Sequence, residues 1–174
     1  MSDQPLWSPS PERVEATQVM AFLRETNRRH QSRLQTYRDL HAWSVQNPDL
    51  FWDQLWDFCG VIGEKGGRRA INLDAMPGAT FFPDAKINFA ENLLRRSDDR
   101  DALVFRGEDK RKDRLSFAQL SALVSRLQQA LKALGVGVGD RVAGMMPNMP
   151  ETVAAMLATT SIGAVWSSCS PDFG

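Results

Sequence analysis

The sequence predicts an α/β fold in which an N-terminal helical extension is followed by the first βαβαβ part of a larger parallel sheet. Apolar residues recur at helical spacing through the first sixty residues. Beyond residue 100, short apolar runs of strand type alternate with two helix patterns, at residues 116–134 and 148–162. This alternation is typical of parallel α/β units, whose strands are joined by crossover helices.

The first sixty residues predict three helices. Ser10 caps the first, with Pro11 at its first position, and we expect this helix to run to about Arg29 with Val14, Thr17, Ala21 and Phe22 inward. A second helix is predicted over 36–45, and a third opens at Asn47-Pro48 and ends at Gly60. The third helix carries an apolar stripe, which we interpret as packing and not as a cofactor site: Phe51, Trp52, Leu55, Trp56 and Cys59.

The stretch from Gly60 to Gly78 is rich in turn residues and includes a short predicted strand, Ala70–Leu73. Gly66-Gly67 next to Arg68-Arg69 could hold a phosphate, but nothing places it between a strand and a helix, so we interpret it as a connection. The basic residues of the first helices are interpreted as a solvated face. A further helix is predicted over 88–96.

The pattern becomes regular from residue 102. A strand over Ala102–Phe105 and a charged turn over Arg106–Arg114 precede Ser116 and Gln119, which fit a capping box. The helix that they open is predicted to end at Gly135. Its apolar residues fall on one face: Leu120, Leu123, Val124, Leu127, Ala130, Leu131 and Leu134.

Two further strands flank a helix of small residues. Val142–Met146 is nearly all apolar, so we expect a strand covered on both faces. Asn148 with Glu151 is predicted to cap the helix that runs through Ile162, and a last strand follows over 164–167. Gly135, Gly137 and Gly139 follow a helix and precede a strand, which is the reverse of a dinucleotide loop, and we interpret them as a turn fixed by Asp140.

Composition excludes several classes of function. The 21 basic residues balance the 21 acidic ones, so nothing favours nucleic acid or an anionic membrane as a partner. No apolar run approaches the length of a membrane helix and no signal peptide is visible, so we expect a cytoplasmic protein. The two cysteines and two histidines predict neither a disulfide framework nor a zinc site.

Ligands of parallel α/β sheets bind beyond the carboxyl ends of the strands. In this sequence those ends are Pro147-Asn148 and Ser168–Gly174, and we expect Ser170 to Gly174 to touch a ligand. Ser167, Ser168, Cys169 and Ser170 are nucleophile-type residues there, but no histidine is placed in the sequence to activate them, and a structural turn is the preferred interpretation.

The segments 115–120, 133–151 and 158–165 resemble the opening of the adenylate-forming enzymes, with Gln119 where that family more often has Glu. Residues 37–43, 51–58 and 82–95 are similar to the N-terminal region of acetyl-CoA-synthetase-like ligases. The strand end 166–174, Trp-Ser-Ser-Cys-Ser-Pro-Asp-Phe-Gly, is similar to the branch that acts on acetoacetate. The resemblance implies a helical extension over 1–100 and the truncated start of the large AMP-binding domain over 101–174.

The resemblance also implies an ATP-dependent acid–thiol ligase that joins acetoacetate to coenzyme A through an acyl-adenylate. Its cofactors and partners would be ATP, coenzyme A, Mg²⁺, small-molecule substrates and the remainder of its own large domain. The family's lysine-containing loop, adenine-binding segments and catalytic lysine are expected downstream, so no catalytic residue is assigned and the chain alone is expected to be inactive. Ser170, Pro171 and Asp172 match by position the residues near coenzyme A. The alternatives are a ligase for another short acid, such as acetate or propionate, and a short protein that binds a nucleotide or partner without catalysis.

Overall fold

The computed structural model describes residues 5–108 and 110–173 of the chain. The chain divides into two units, Met1–Ala85 and Lys86–Gly174. The boundary predicted from the sequence, between residues 100 and 101, marks a family domain and stays a prediction. The two units are described separately below.

Four helices form the first part of the N-terminal unit: α1 (Pro11–Glu15), α2 (Gln18–His30), α3 (Tyr37–Gln46) and α4 (Pro48–Phe58). The prediction of one continuous first helix is wrong. Thr17 has extended backbone dihedrals, and its hydroxyl accepts the Met20 N–H at 3.3 Å as the N-cap of α2. A threonine side chain can cap a backbone N–H only at the start of a helix. The predicted helix is therefore interrupted at Thr17, and α2 begins there as a separate helix. Val14 and Thr17, predicted to face inward, are exposed.

The apolar core of this unit is built around Phe22, Leu23 and Leu40. The Phe22 ring meets the rings of Phe51 and Phe58 edge-on, at centroid distances of 5.7 and 5.1 Å. On the neighbouring positions of α4, the Trp52 and Trp56 rings lie 4.7 and 4.9 Å from those of Phe81 and Phe82, respectively. The interpretation of the α4 stripe as packing is therefore confirmed.

A polar group is buried inside this helical unit. Gln54 of α4 is 1% exposed, and its amide donates to Thr26 Oγ1 at 2.9 Å and to the Phe22 carbonyl oxygen at 3.3 Å. Its carbonyl oxygen lies 3.0 Å from His30 Nε2. Each contact joins α4 to α2, so the network fixes which turn of one helix faces which turn of the other.

Three short strands belong to the same unit: β1 (Gly63–Glu64), β2 (Ala70–Ile71) and β3 (Thr80–Phe81). β2 and β3 pair antiparallel, with Ala70 opposite Phe81. β2 is shorter than the predicted strand Ala70–Leu73, because Asn72 has a φ of 55° and turns the chain out of the extended region.

The second unit contains β4 (Lys86–Ile87), α5 (Phe89–Leu93), β5 (Asp101–Gly107), β6 (Arg111–Ser116), α6 (Phe117–Ala133), β7 (Arg141–Met145), α7 (Pro150–Ser161) and β8 (Val165–Cys169). α5 is capped by Asn88, whose side chain accepts the Glu91 N–H, and it is shorter than the helix predicted over 88–96. The apolar core of the second unit is formed by residues of α5, α6 and α7: Ala90, Leu120, Val124, Ala154, Leu157 and Ala158.

The charged turn predicted over Arg106–Arg114 is wrong. Most of it belongs to a hairpin, in which β6 pairs antiparallel with β5 and Phe105 lies opposite Asp113. The charged side chains of β6 made it resemble a turn in the sequence. An antiparallel strand with one face in water needs few apolar residues.

The capping box at the start of α6 is confirmed. Ser116 Oγ accepts the Gln119 N–H at 3.2 Å, and Gln119 Oε1 accepts the Ser116 N–H at 2.9 Å. Gly135 follows the helix with a φ of +84°, a left-handed conformation that glycine adopts without strain. Ala130 and Leu134, which were predicted to face inward, are exposed near this end.

β7 and β8 are parallel and in register from Arg141 opposite Val165 to Met145 opposite Cys169. Within the described residues β7 is covered on one face only, so coverage of both faces stays a prediction for the longer protein. Burial alternates along it, and Met145 is 66% exposed. The described helices thus cover this pair on one face only.

The start of α7 also differs from the prediction. Met149, not Asn148, is the N-cap, and it makes no side-chain cap hydrogen bond. The reason is Pro150, because a proline ring disfavours helical dihedrals at the residue before it. Met149 is accordingly extended, with φ −142° and ψ 166°, and the helix begins at Pro150.

Candidate functional site

The two strand ends predicted to bind a ligand lie side by side. β7 and β8 run parallel, so Met146 and Ser170 leave the sheet at the same edge. The Met146 N–H donates to the Cys169 carbonyl oxygen at 3.1 Å, one residue beyond the paired strands. The structure therefore joins the two turns that the sequence indicated, at the edge where α/β sheets place ligands.

Ser170, Pro171 and Asp172 form a turn at this edge. The Ser170 hydroxyl donates to Asp172 Oδ2 at 2.8 Å and accepts the Asp172 N–H at 3.3 Å. The Phe173 N–H closes the turn on the Ser170 carbonyl oxygen at 3.2 Å. Ser170 is half-buried, while Pro171 and Asp172 are exposed. The turn thus presents a hydroxyl and a carboxylate to solvent, groups able to hydrogen-bond a polar ligand.

The other strand end is a turn closed by α7. Thr152 Oγ1 donates to the Pro147 carbonyl oxygen at 2.6 Å, which ties the turn to the first turn of the helix. Glu151, predicted to help cap α7, instead accepts from Arg111 of β6 at 2.9 Å. The hairpin and α7 are therefore linked beside this end of the sheet.

A close contact under this edge was missed by the sequence reasoning. Gly144 of β7 faces the Trp166 ring of β8, and a Cβ built on Gly144 would lie 2.6 Å from Trp166 Cη2. A side chain at this position would require the Trp166 ring to shift. A glycine inside a strand often marks a close approach of this kind, so Gly144 was the available signal.

The other sequence candidates have structural roles. Arg68 binds Asp84 with Nε–Oδ2 at 2.9 Å, and Arg69 binds Asp53 at 2.6 Å, so the Gly66-Gly67 segment is a connection, as interpreted. Gly137 N–H donates to Asp140 Oδ2 at 2.8 Å, which confirms that Asp140 fixes the glycine turn.

Among residues 5–108 and 110–173, no group of three or more His, Cys, Asp or Glu side chains is placed to hold a metal ion. Over the same residues, no helix combines the length and the apolar character that crossing a membrane requires. Cys59 and Cys169 are both exposed thiols.

Two protein families match the chain. The family described as AMP-binding enzyme matches residues 89–174, and the family described as acetyl-coenzyme A synthetase N-terminus matches residues 37–93. The chain is 54% identical over 173 residues to an acetoacetyl-coenzyme A synthetase of Rhizobium meliloti, covering 99% of this chain and 27% of that relative. It is 36% identical to a malonamoyl-CoA synthetase of Penicillium aethiopicum, over 91% of this chain and 23% of the relative.

A solved structure shares the fold. The acetoacetyl-CoA synthetase from Streptomyces lividans superposes with a TM-score of 0.85 at 38% identity, over 98% of this chain and 27% of that one. The chain belongs to the AMP-binding, adenylate-forming family of enzymes. It spans about a quarter of the length of the relatives that it matches.

Proposed function

We propose that this chain is the N-terminal part of an ATP-dependent ligase that converts acetoacetate, ATP and coenzyme A to acetoacetyl-CoA, AMP and pyrophosphate. The observation that carries the proposal is the 54% identity, sustained over 99% of the chain, to a relative named for this product. The similarity at residues 166–174, a stretch of strand and turn at the ligand edge, supports the same choice of acid.

The reaction proceeds in two steps. The carboxylate oxygen of acetoacetate attacks the α-phosphorus of ATP, which forms the acyl-adenylate and releases pyrophosphate. The sulfur of coenzyme A then attacks the acyl carbon, the thiol proton is lost and AMP leaves. Mg²⁺ would offset phosphate charge in the first step. The described residues offer no ligand set for that ion, so none of them is assigned to it.

Within this reaction the proposed role of the chain is to form one edge of the coenzyme A site. Ser170, Pro171 and Asp172 lie at the edge where the carboxyl ends of β7 and β8 meet. Ser170 supplies a half-buried hydroxyl and Asp172 an exposed carboxylate. The uncovered face of β7 and β8 would be covered by the remainder of the large domain, and the protein would act in the cytoplasm.

The test is expression of the open reading frame that contains this chain, over its whole length, and assay of thioester formation with several acids. We expect acetoacetate to have the highest kcat/KM among acetoacetate, acetate, propionate and malonamate, the last chosen because of the malonamoyl-CoA relative. The 174-residue chain assayed alone should form neither adenylate nor thioester. A preference for another acid, or a thioester made by the 174 residues alone, would contradict the proposal.

A further inference from the structure

The Trp166 ring lies beyond its own register partner. Trp166 is opposite Val142 in the parallel pair, yet its ring sits on Gly144, two residues further along β7. The position of a Cβ on Gly144 is 2.6 Å from Trp166 Cη2 and 3.1 Å from Cζ2. The far edge of the indole therefore points toward the carboxyl ends of the strands.

Met146 lies close to the same point above Gly144. Its Sδ lies 3.2 Å from the position of a Gly144 Cβ, so the thioether and the indole edge converge above the glycine. Contacts between a thioether and an aromatic edge are favourable. Met146 is also the first residue after β7, and its N–H binds the Cys169 carbonyl oxygen. Met146 therefore lies beside the Trp166 ring and also joins the two strand ends.

We propose that Trp166 is a positioning residue for coenzyme A at this edge. Its ring, seated on Gly144, holds Met146 and so sets the spacing between the turn at Pro147-Asn148 and the turn at Ser170–Asp172. The inference rests on the proposed function, which supplies the identity of the ligand. Gly144 is required because any side chain there would displace the indole edge.

The experiment measures the two half-reactions separately in the whole-length enzyme. Acid-dependent exchange of pyrophosphate into ATP reports adenylate formation without coenzyme A, whereas thioester formation reports the second step. We expect Trp166→Ala to raise the KM for coenzyme A by about tenfold, because a displacement of about 1 Å at a reacting ligand has effects of this size or larger. The exchange rate should change by less than about twofold.

Gly144→Ala should act in the same direction, because its methyl group pushes the ring away. The double variant Gly144→Ala/Trp166→Ala should be no worse than Trp166→Ala alone, since no ring remains to be displaced, and this non-additivity is the signature of contact. Val138→Ala, in the exposed turn before β7 and off the face that the remainder of the domain would cover, is the control and should leave both half-reactions unchanged.

Thermal unfolding of each variant establishes that it is folded, and Trp166→Phe replaces Trp166→Ala if the larger truncation does not fold. Equal losses in both half-reactions, or an unchanged KM for coenzyme A in folded variants, overturn the role of Trp166 while leaving the proposed function intact. A wild-type enzyme that forms no thioester overturns the proposed function, and this inference with it.

Discussion

The carboxylates of Asp53 and Asp57 bind three cations from other parts of the N-terminal unit. Lys65 Nζ lies 3.0 Å from Asp53 and 2.5 Å from Asp57, and Arg29 binds the same pair at 2.6 and 2.8 Å. Arg69 adds a contact to Asp53 at 2.6 Å. The network ties α2 and the segment after β1 to one side of α4, and its half-buried position makes it stronger than surface pairs.

These contacts predict an acid-dependent stability. Burial raises the pKa of Asp53, but hydrogen bonds from Lys65 and Arg69 outweigh it and leave the pKa below its ordinary value. A folded pKa below the unfolded one stabilises the fold above about pH 4, and this contribution is lost as the pH falls through the folded value. Asp53→Asn should therefore lower the free energy of unfolding by about 1–3 kcal/mol at pH 7.

Urea unfolding of the 174-residue chain at low concentration, at pH 7 and at pH 3, checks this prediction. The difference between wild type and Asp53→Asn should narrow at the lower pH. Asp74→Asn, an exposed aspartate in the turn after β2, is the control and should have little effect at either pH. A difference of the same size at both values would show that the Asp53 charge is not what stabilises the unit.

Two single residues depend on partners that are distant in the sequence. Gln54 lies on α4, a helix rich in aromatic residues. Its hydrogen-bond partners Thr26 and His30 lie on α2, 28 and 24 residues away along the chain. Nothing in the local sequence distinguishes such a buried glutamine from an exposed one. Gly144 did carry a local signal, but the ring that requires it comes from β8, and only the register of the two strands reveals it.

At the scale of elements, α6 was predicted most accurately, because both of its ends are encoded by adjacent residues. Ser116 and Gln119 satisfy two backbone donors at its start, and Gly135 provides the left-handed residue after its end. α1, α2 and β6 were mispredicted. A threonine cap divided the predicted first helix, and a charged, half-exposed strand resembled a turn.

The capping box of α6 should contribute measurably to stability. Ser116→Ala removes the acceptor for the Gln119 N–H, and we expect a loss of about 1 kcal/mol in the free energy of unfolding. Urea unfolding should show a lower midpoint with an unchanged slope. Ser125→Ala, at an exposed position in the middle of the same helix, should be neutral or slightly stabilising, because alanine is the better helix former. Equal effects of the two changes would exclude a capping role.

At the scale of the whole molecule, one sheet face stands out. The open face of the β7–β8 pair is apolar apart from Arg141 and Ser167, and its residues are all exposed in the described chain: Arg141, Ala143, Met145, Val165, Ser167 and Cys169. Met145 and Val165 are 66% and 54% exposed. Contiguous apolar surface of this kind favours association, whereas single exposed apolar residues do not.

We therefore expect the 174-residue chain to self-associate as its concentration rises. Met145→Lys should reduce this association by placing a charge on the open face, as edge and face lysines do in natural sheets. Val138→Lys is the control, because Val138 is 87% exposed in the turn before β7 and lies off that face. Sedimentation velocity over a concentration series measures the outcome, and equal behaviour of the two variants would rule out the open face as the contact surface.

The sequence by itself determined the α/β class, the start of α4 at Pro48, the cap and the stop of α6, and the strand–helix–strand order that brings two strand ends to one edge of the sheet. Those features depend on spacing and on residues that are neighbours in the chain. Only the tertiary structure decided the hydrogen bonds of Gln54, the ion pairs of Asp53 and the packing of the Trp166 ring against Gly144. Each of these depends on groups that are distant in the chain and meet only when the helices and strands pack.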